Sequence, residues 1–99
     1  MSTIEEKKEK LAKLREARGK LDARIAEFIK RNVPLTRAMN IIAKVKIPDL
    51  LVSHARGGRG IQKNEDYLKM RIIDSALQRM QKDGKIKCNK DGTPYWELA

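Results

Sequence analysis

The apolar positions of this chain fall into three rhythms. Between Ile4 and Phe28 they repeat every three or four residues. With Ile4 at heptad position a, the a positions are Ile4, Leu11, Arg18 and Ile25 and the d positions Lys7, Leu14, Leu21 and Phe28, six apolar residues of eight. Ser2 and Glu5 stand in capping-box spacing, and Lys30 and Arg31 supply cations at the far end. The spacing predicts one long helix over residues 2–32, stopped at Val33-Pro34, because proline lacks the amide proton and disfavours a helical residue before it. So narrow a seam suits another helix. Two arrangements satisfy it: a homodimer through Ile4, Leu11, Leu14, Leu21, Ile25 and Phe28, or a helix folded back on its own domain. In a parallel dimer Lys10 would meet the Arg15 of a second copy, a like-charge contact.

Downstream the apolar runs are shorter. "LTRAMNIIAKVKI" sets Ala38, Met39, Ile42 and Ala43 at helical spacing, and Pro48 then opens "PDLLVSHAR", which Gly57 closes. "GGRGIQKN" has no period and reads as a loop of glycines around Arg59. Asn64 is a cap residue followed by Glu65 and Asp66, and Leu68, Ile72, Ile73, Ala76, Leu77 and Met80 make the best 3.6-residue face in the chain. After Gly84 the period drops to two. Ile86 and Cys88 alternate with Lys85 and Lys87, "NKDG" turns the chain, and Trp96 and Leu98 alternate with Tyr95 and Glu97. Ile86, Cys88, Trp96 and Leu98 are expected inside, and Lys87, Lys90 and Tyr95 outside. The fold class is therefore mainly α with a C-terminal β-hairpin: a dimerisation helix over 1–32 and a body over 33–99.

Charge decides what such a fold meets. Twenty-three Lys and Arg against 13 Asp and Glu give +10 and a pI near 10.0. The excess is spread, +4 over residues 1–34 and +6 over 35–99, so this is no basic tail on a neutral domain. A polyanion, nucleic acid first, is the expected partner. No run approaches the ~18 apolar residues of a membrane span, and the N-terminus has acids and no apolar leader. A soluble, cytoplasmic or nucleoid protein without membrane contact follows. Cys88 has no second cysteine to pair with and His54 no neighbouring nucleophile or carboxylate pattern, so neither enzyme activity nor a metal or cofactor is expected. On the polar side of the helix after Asn64 lie Arg71, Ser75, Gln78 and Lys82, flanked by Lys69, Asp74 and Arg79, a donor-rich face of the kind a major groove accepts. The glycines around Arg59 would let its guanidinium approach a minor groove or RNA.

"SALQRMQKDGKI", running on into "GKIKCNKDGTPYWEL", resembles the recognition helix and wing of winged helix-turn-helix domains. The turn glycine, the proline and the tryptophan of the last strand are most similar to the Z-alpha type, over Ile73 to Leu98. The resemblance implies a helix in the major groove and a wing on backbone or minor groove, at positions falling on Arg71, Ser75, Gln78, Arg79, Lys87 and Lys90. Z-alpha domains grip left-handed DNA with an Asn and a Tyr where this chain has Asp74 and Gln78, so that specificity is not implied. The expected contacts to duplex DNA are Arg56, Arg59, Lys63, Lys69, Arg71, Ser75, Gln78, Arg79, Lys82, Lys87, Lys90 and Tyr95, in a small dimeric transcription regulator or nucleoid-associated protein. Two other readings share the same charge: a winged-helix module that docks an acidic protein, as a viral or plasmid inhibitor would, and RNA binding through "RGGRG".

Overall fold

Four helices and one antiparallel hairpin follow one another as α1 (Ile4–Asn32), α2 (Ala38–Lys44), α3 (Asp49–Arg56), α4 (Glu65–Lys82), β1 (Ile86–Asn89) and β2 (Tyr95–Leu98). This is a computed structural model, and it describes residues 4–56 and 64–99. The cap expected at Ser2 and the glycine loop with Arg59 and Lys63 lie outside those residues. The mainly α class with a terminal hairpin and a long first helix is the one the sequence leads to.

α1 carries acids in its first turn and Lys30 and Arg31 in its last, matching its dipole at both ends. Three exposed i,i+4 pairs, Glu9–Lys13, Glu16–Lys20 and Glu27–Arg31, line its outer side. The helix buries Leu14, Ala17, Leu21, Ile25 and Ile29, and it packs on α3, α4 and β2. From Ala17 onward the buried residues recur every four, so the stripe winds slowly around the helix to follow the body and does not keep the 3.5-residue seam of a coiled coil. Leu14, Leu21 and Ile25 are 3%, 0% and 0% exposed inside the core of their own chain, with Phe28 half-buried against it, and are closed to a second copy in this fold. Of the expected dimer seam only Ile4 and Leu11 stay open, at 73% and 52% exposure. The folded-back arrangement accounts for the rest.

Asn32 ends α1, its side-chain amide donating to the Phe28 carbonyl at 2.8 Å. The chain then reverses, and Thr36, wholly buried, meets the hairpin: the Trp96 N–H donates to the Thr36 carbonyl at 3.1 Å, and the Thr36 hydroxyl donates to the Trp96 carbonyl. These two bonds clip the hairpin to the segment just before α2. α2 is rotated from the sequence expectation, because Ile41 is its buried residue while Met39 is 79% exposed. Arg24 of α1 donates to the Lys46 carbonyl at 2.9 Å, which fixes the connection between α2 and α3 beside the buried Val45 and Ile47.

α4 starts at Asn64, whose side chain accepts from the Tyr67 N–H at 2.7 Å, and buries Leu68, Ile73, Ala76, Leu77 and Met80. It stops in a Schellman motif: the Lys85 N–H donates to the Met80 carbonyl and the Gly84 N–H to the Gln81 carbonyl, with Gly84 at φ +74. This reversal aims β1 back across the core, so Ile86 is buried and Trp96, half-buried, packs on the same cluster. Ile86 pairs with Leu98 and Cys88 with Trp96 on the inner face, Lys87 with Glu97 and Asn89 with Tyr95 on the outer. Leu98, expected inside, is 41% exposed although its cross-strand partner Ile86 is buried, so the inner face is covered on the β1 side and open at the end of β2.

Candidate nucleic-acid interface

Of the chain's 23 cations α4 carries Lys69, Arg71, Arg79 and Lys82, and it displays Arg71 and Lys82 to solvent in register with polar donors. The five core positions of α4 hold it rigidly, leaving Arg71, Asp74, Ser75, Gln78, Gln81 and Lys82 exposed on its far side. Arg71, Gln78 and Lys82 recur at spacings of seven and four and so share one row. Arg71 and Lys82 lie eleven residues apart, about 16 Å along the axis. That exceeds the ~12 Å width of a B-form major groove, and Gln78 stands between the two cations. Asp74 is the discordant member, a carboxylate on the same exposed side.

The hairpin continues the cationic row. Lys85 and Lys90 are exposed, and Lys87 pairs only loosely across the strands with Glu97, at 3.5 Å and 63% side-chain exposure. Its connection is rigid: the Asp91 N–H donates to the Asn89 side chain at 2.9 Å, Gly92 turns the chain at φ +79, and Asn89 donates to the Tyr95 hydroxyl at 3.0 Å. Tyr95, expected as an outward contact, is half-buried and spends its hydroxyl on that bond, so it shapes the loop that carries Lys90.

The remaining expected contacts separate. Lys69 lies on another side of α4, half-buried, paired with Glu65 at 3.6 Å and facing the α2–α3 connection, so it is not on the open face. Arg56 is exposed at the end of α3, away from the row. Arg79 turns toward α1, where its guanidinium binds the Asp22 carboxylate at 3.0 Å. With Arg71 and Ser75 it lines a groove against α1 and α3 that also takes in Arg18 and His54, two residues the sequence reading left out of the site. A signal for Arg18 was present, since it is the one cation at an a position of an otherwise apolar row. Among the described residues no group of three or more His, Cys, Asp or Glu is placed to hold a metal, and no helix is long and apolar enough to cross a membrane. Comparison of the chain with protein-family models, with curated proteins and with solved structures gives no match.

Proposed function

We propose that this chain binds duplex DNA in the manner of a winged-helix protein, with α4 as the helix presented to the major groove and the hairpin as the wing beside it. The observation that carries the reading is the set of exposed cations Arg71 and Lys82 on α4 and Lys85 and Lys90 after it, which no carboxylate among the described residues pairs, with the opposite face of α4 locked in the core. The two hydrogen bonds between Thr36 and Trp96 also support it, because they tie the hairpin to the segment between the first two helices. Phosphate contacts by these cations supply affinity, and Gln78 and Ser75 are the groups suited to base edges. The role is that of a regulator or organiser of DNA. Of the α1 seam only Ile4 and Leu11 stay exposed, far short of the ~1,200 Å² of a stable interface, so a homodimer through that seam is not part of this reading.

The test is a gel shift with random-sequence duplex DNA on the full chain and on a Lys82→Gln, Lys90→Gln variant. Weaker retention of the variant supports the reading; equal retention removes the row from the interface. Competitor RNA duplex should displace little, because an A-form major groove does not admit a helix. One observation favours a second reading, docking of an acidic protein: Val33, Leu35 and Met39 are exposed around the turn into α2, at 44%, 68% and 79%. A Leu35→Ser, Met39→Ser variant that keeps DNA retention and loses a protein partner would support it.

A further inference from the structure

The groove between α1, α3 and α4 has a volume of about 270 Å³. Arg18, His54, Arg71, Ser75 and Arg79 form its polar wall, and the buried Leu51 and Leu68 lie in its apolar floor. Among the described residues no carboxylate lines it, and the only one paired with its cations is Asp22, held to Arg79 from the α1 side. Three guanidiniums against one carboxylate leave two positive charges facing a concave surface. A phosphodiester carries one negative charge, whereas a phosphomonoester or pyrophosphate carries about two or more near neutral pH, as second phosphate ionisations fall near ~6. The planar forks of arginine match phosphoryl oxygens in pairs, and a serine hydroxyl adds a further donor.

We propose that this groove binds a phosphate dianion, its phosphoryl oxygens between Arg18 and Arg71 with Ser75 and Arg79 as further donors, and its organic part on the Leu51 and Leu68 floor. The same terminal phosphate exists on a free nucleotide and at the 5′ end of a nucleic-acid strand. The inference stands apart from the duplex reading, because neither its ligand nor its test needs duplex DNA. It also gives Arg18 a purpose: it stands beside the buried Ala17, at the place where α1 borders the groove.

The experiment is a titration of the full chain, at fixed ionic strength, with sodium pyrophosphate, a nucleoside 5′-monophosphate, and single-stranded oligonucleotides with and without a 5′-phosphate. Resonances of the His54 ring and of the Arg18 and Arg71 side chains report binding. Saturable shifts at these groups are expected with pyrophosphate. Arg71→Gln or Arg18→Gln should weaken it about tenfold or more, as loss of a charge-assisted hydrogen bond does. Lys30→Gln, in the last turn of α1, should leave it unchanged. Asp22→Asn should tighten it by removing the compensating carboxylate. Arg71 is exposed and Arg18 half-buried, and far-UV circular dichroism checks that the variants keep the fold. Tighter binding of the mononucleotide identifies a free nucleotide as the occupant; tighter binding of the 5′-phosphorylated strand identifies a strand end. The proposal is overturned if Arg71→Gln and Arg18→Gln bind pyrophosphate as Lys30→Gln does, or if shifts spread over all the lysines without saturating. Loss of duplex binding with pyrophosphate binding intact rejects the duplex reading alone.

Discussion

Leu21→Ala separates an α1 that is part of the core from an α1 that only joins two copies. Leu21 is 0% exposed and lies in one cluster with Ile25, Ile41, Ile73, Leu77 and Ile86. Shortening it to alanine removes about three carbon groups' worth of burial, roughly 2.4 kcal/mol at ~0.8 kcal/mol per group, and leaves a cavity that raises the cost to about 3 kcal/mol. For a domain whose whole stability is on the order of 5–15 kcal/mol this is a large share. With a urea m-value of about 1.5 kcal/mol/M, the unfolding midpoint should fall by about 2 M, by the same amount at 5 μM and at 100 μM protein (roughly the range over which a weak dimer would dissociate). Leu11→Ala, on the exposed part of the same helix, should change stability by less than about 0.5 kcal/mol. Urea unfolding followed by Trp96 fluorescence measures both. A midpoint unchanged by Leu21→Ala, or one that moves with protein concentration in the wild type, would refute the reasoning.

Three further outcomes follow from the same geometry. Thr36→Val keeps the shape of a wholly buried side chain but strips the Trp96 carbonyl of its hydroxyl donor, which should cost about 1–1.5 kcal/mol and lower Tm by about 5 °C or more in calorimetry. Gly84→Ala should destabilise by about 1 kcal/mol, since it forces an alanine to φ +74; Gly19→Ala should stabilise by about 0.5–1 kcal/mol, since it lies inside α1 with no atom in the way of a Cβ, and paired urea curves read the two signs. Asp74→Asn removes the carboxylate from the open face of α4 and should raise affinity for random duplex DNA about threefold to fivefold by fluorescence anisotropy, with its secondary structure unchanged.

What could be read from the sequence depended on how local the determinant was. α4 was legible because its cap, its 3.6-residue apolar face and its stop at Gly84 are all contained in one short segment. The hairpin was legible for the same reason: alternation and a glycine turn set its register, although alternation alone did not show that Leu98 would be exposed at the end of β2. α1 was found as a helix but its partner was not, because heptad and straight-helix periods differ by only about 20° per heptad and both fit Leu14, Leu21 and Ile25. The row Ala17, Leu21, Ile25, Ile29 held the answer, and the missing term was the weight of Ile29, which no a or d position includes. Thr36 had no local signal, since its burial is created by a strand sixty residues away. The candidate site divided along the same line. Arg71, Gln78 and Lys82 follow from helical spacing, whereas Arg79 is drawn to Asp22, Lys69 to Glu65, and Arg18 and His54 to the groove by tertiary packing.

The central claim, that the Arg71–Lys82 row and the hairpin lysines dock on DNA phosphates, is tested most directly by the salt dependence of binding to random duplex DNA. Five cations, Arg71, Lys82, Lys85, Lys87 and Lys90, should release counterions on binding, giving a slope of log K against log salt of about −4 to −5. Replacing Lys82 and Lys90 with glutamine should reduce its magnitude by about two. A slope near zero, or one that the double variant leaves unchanged, would contradict the account.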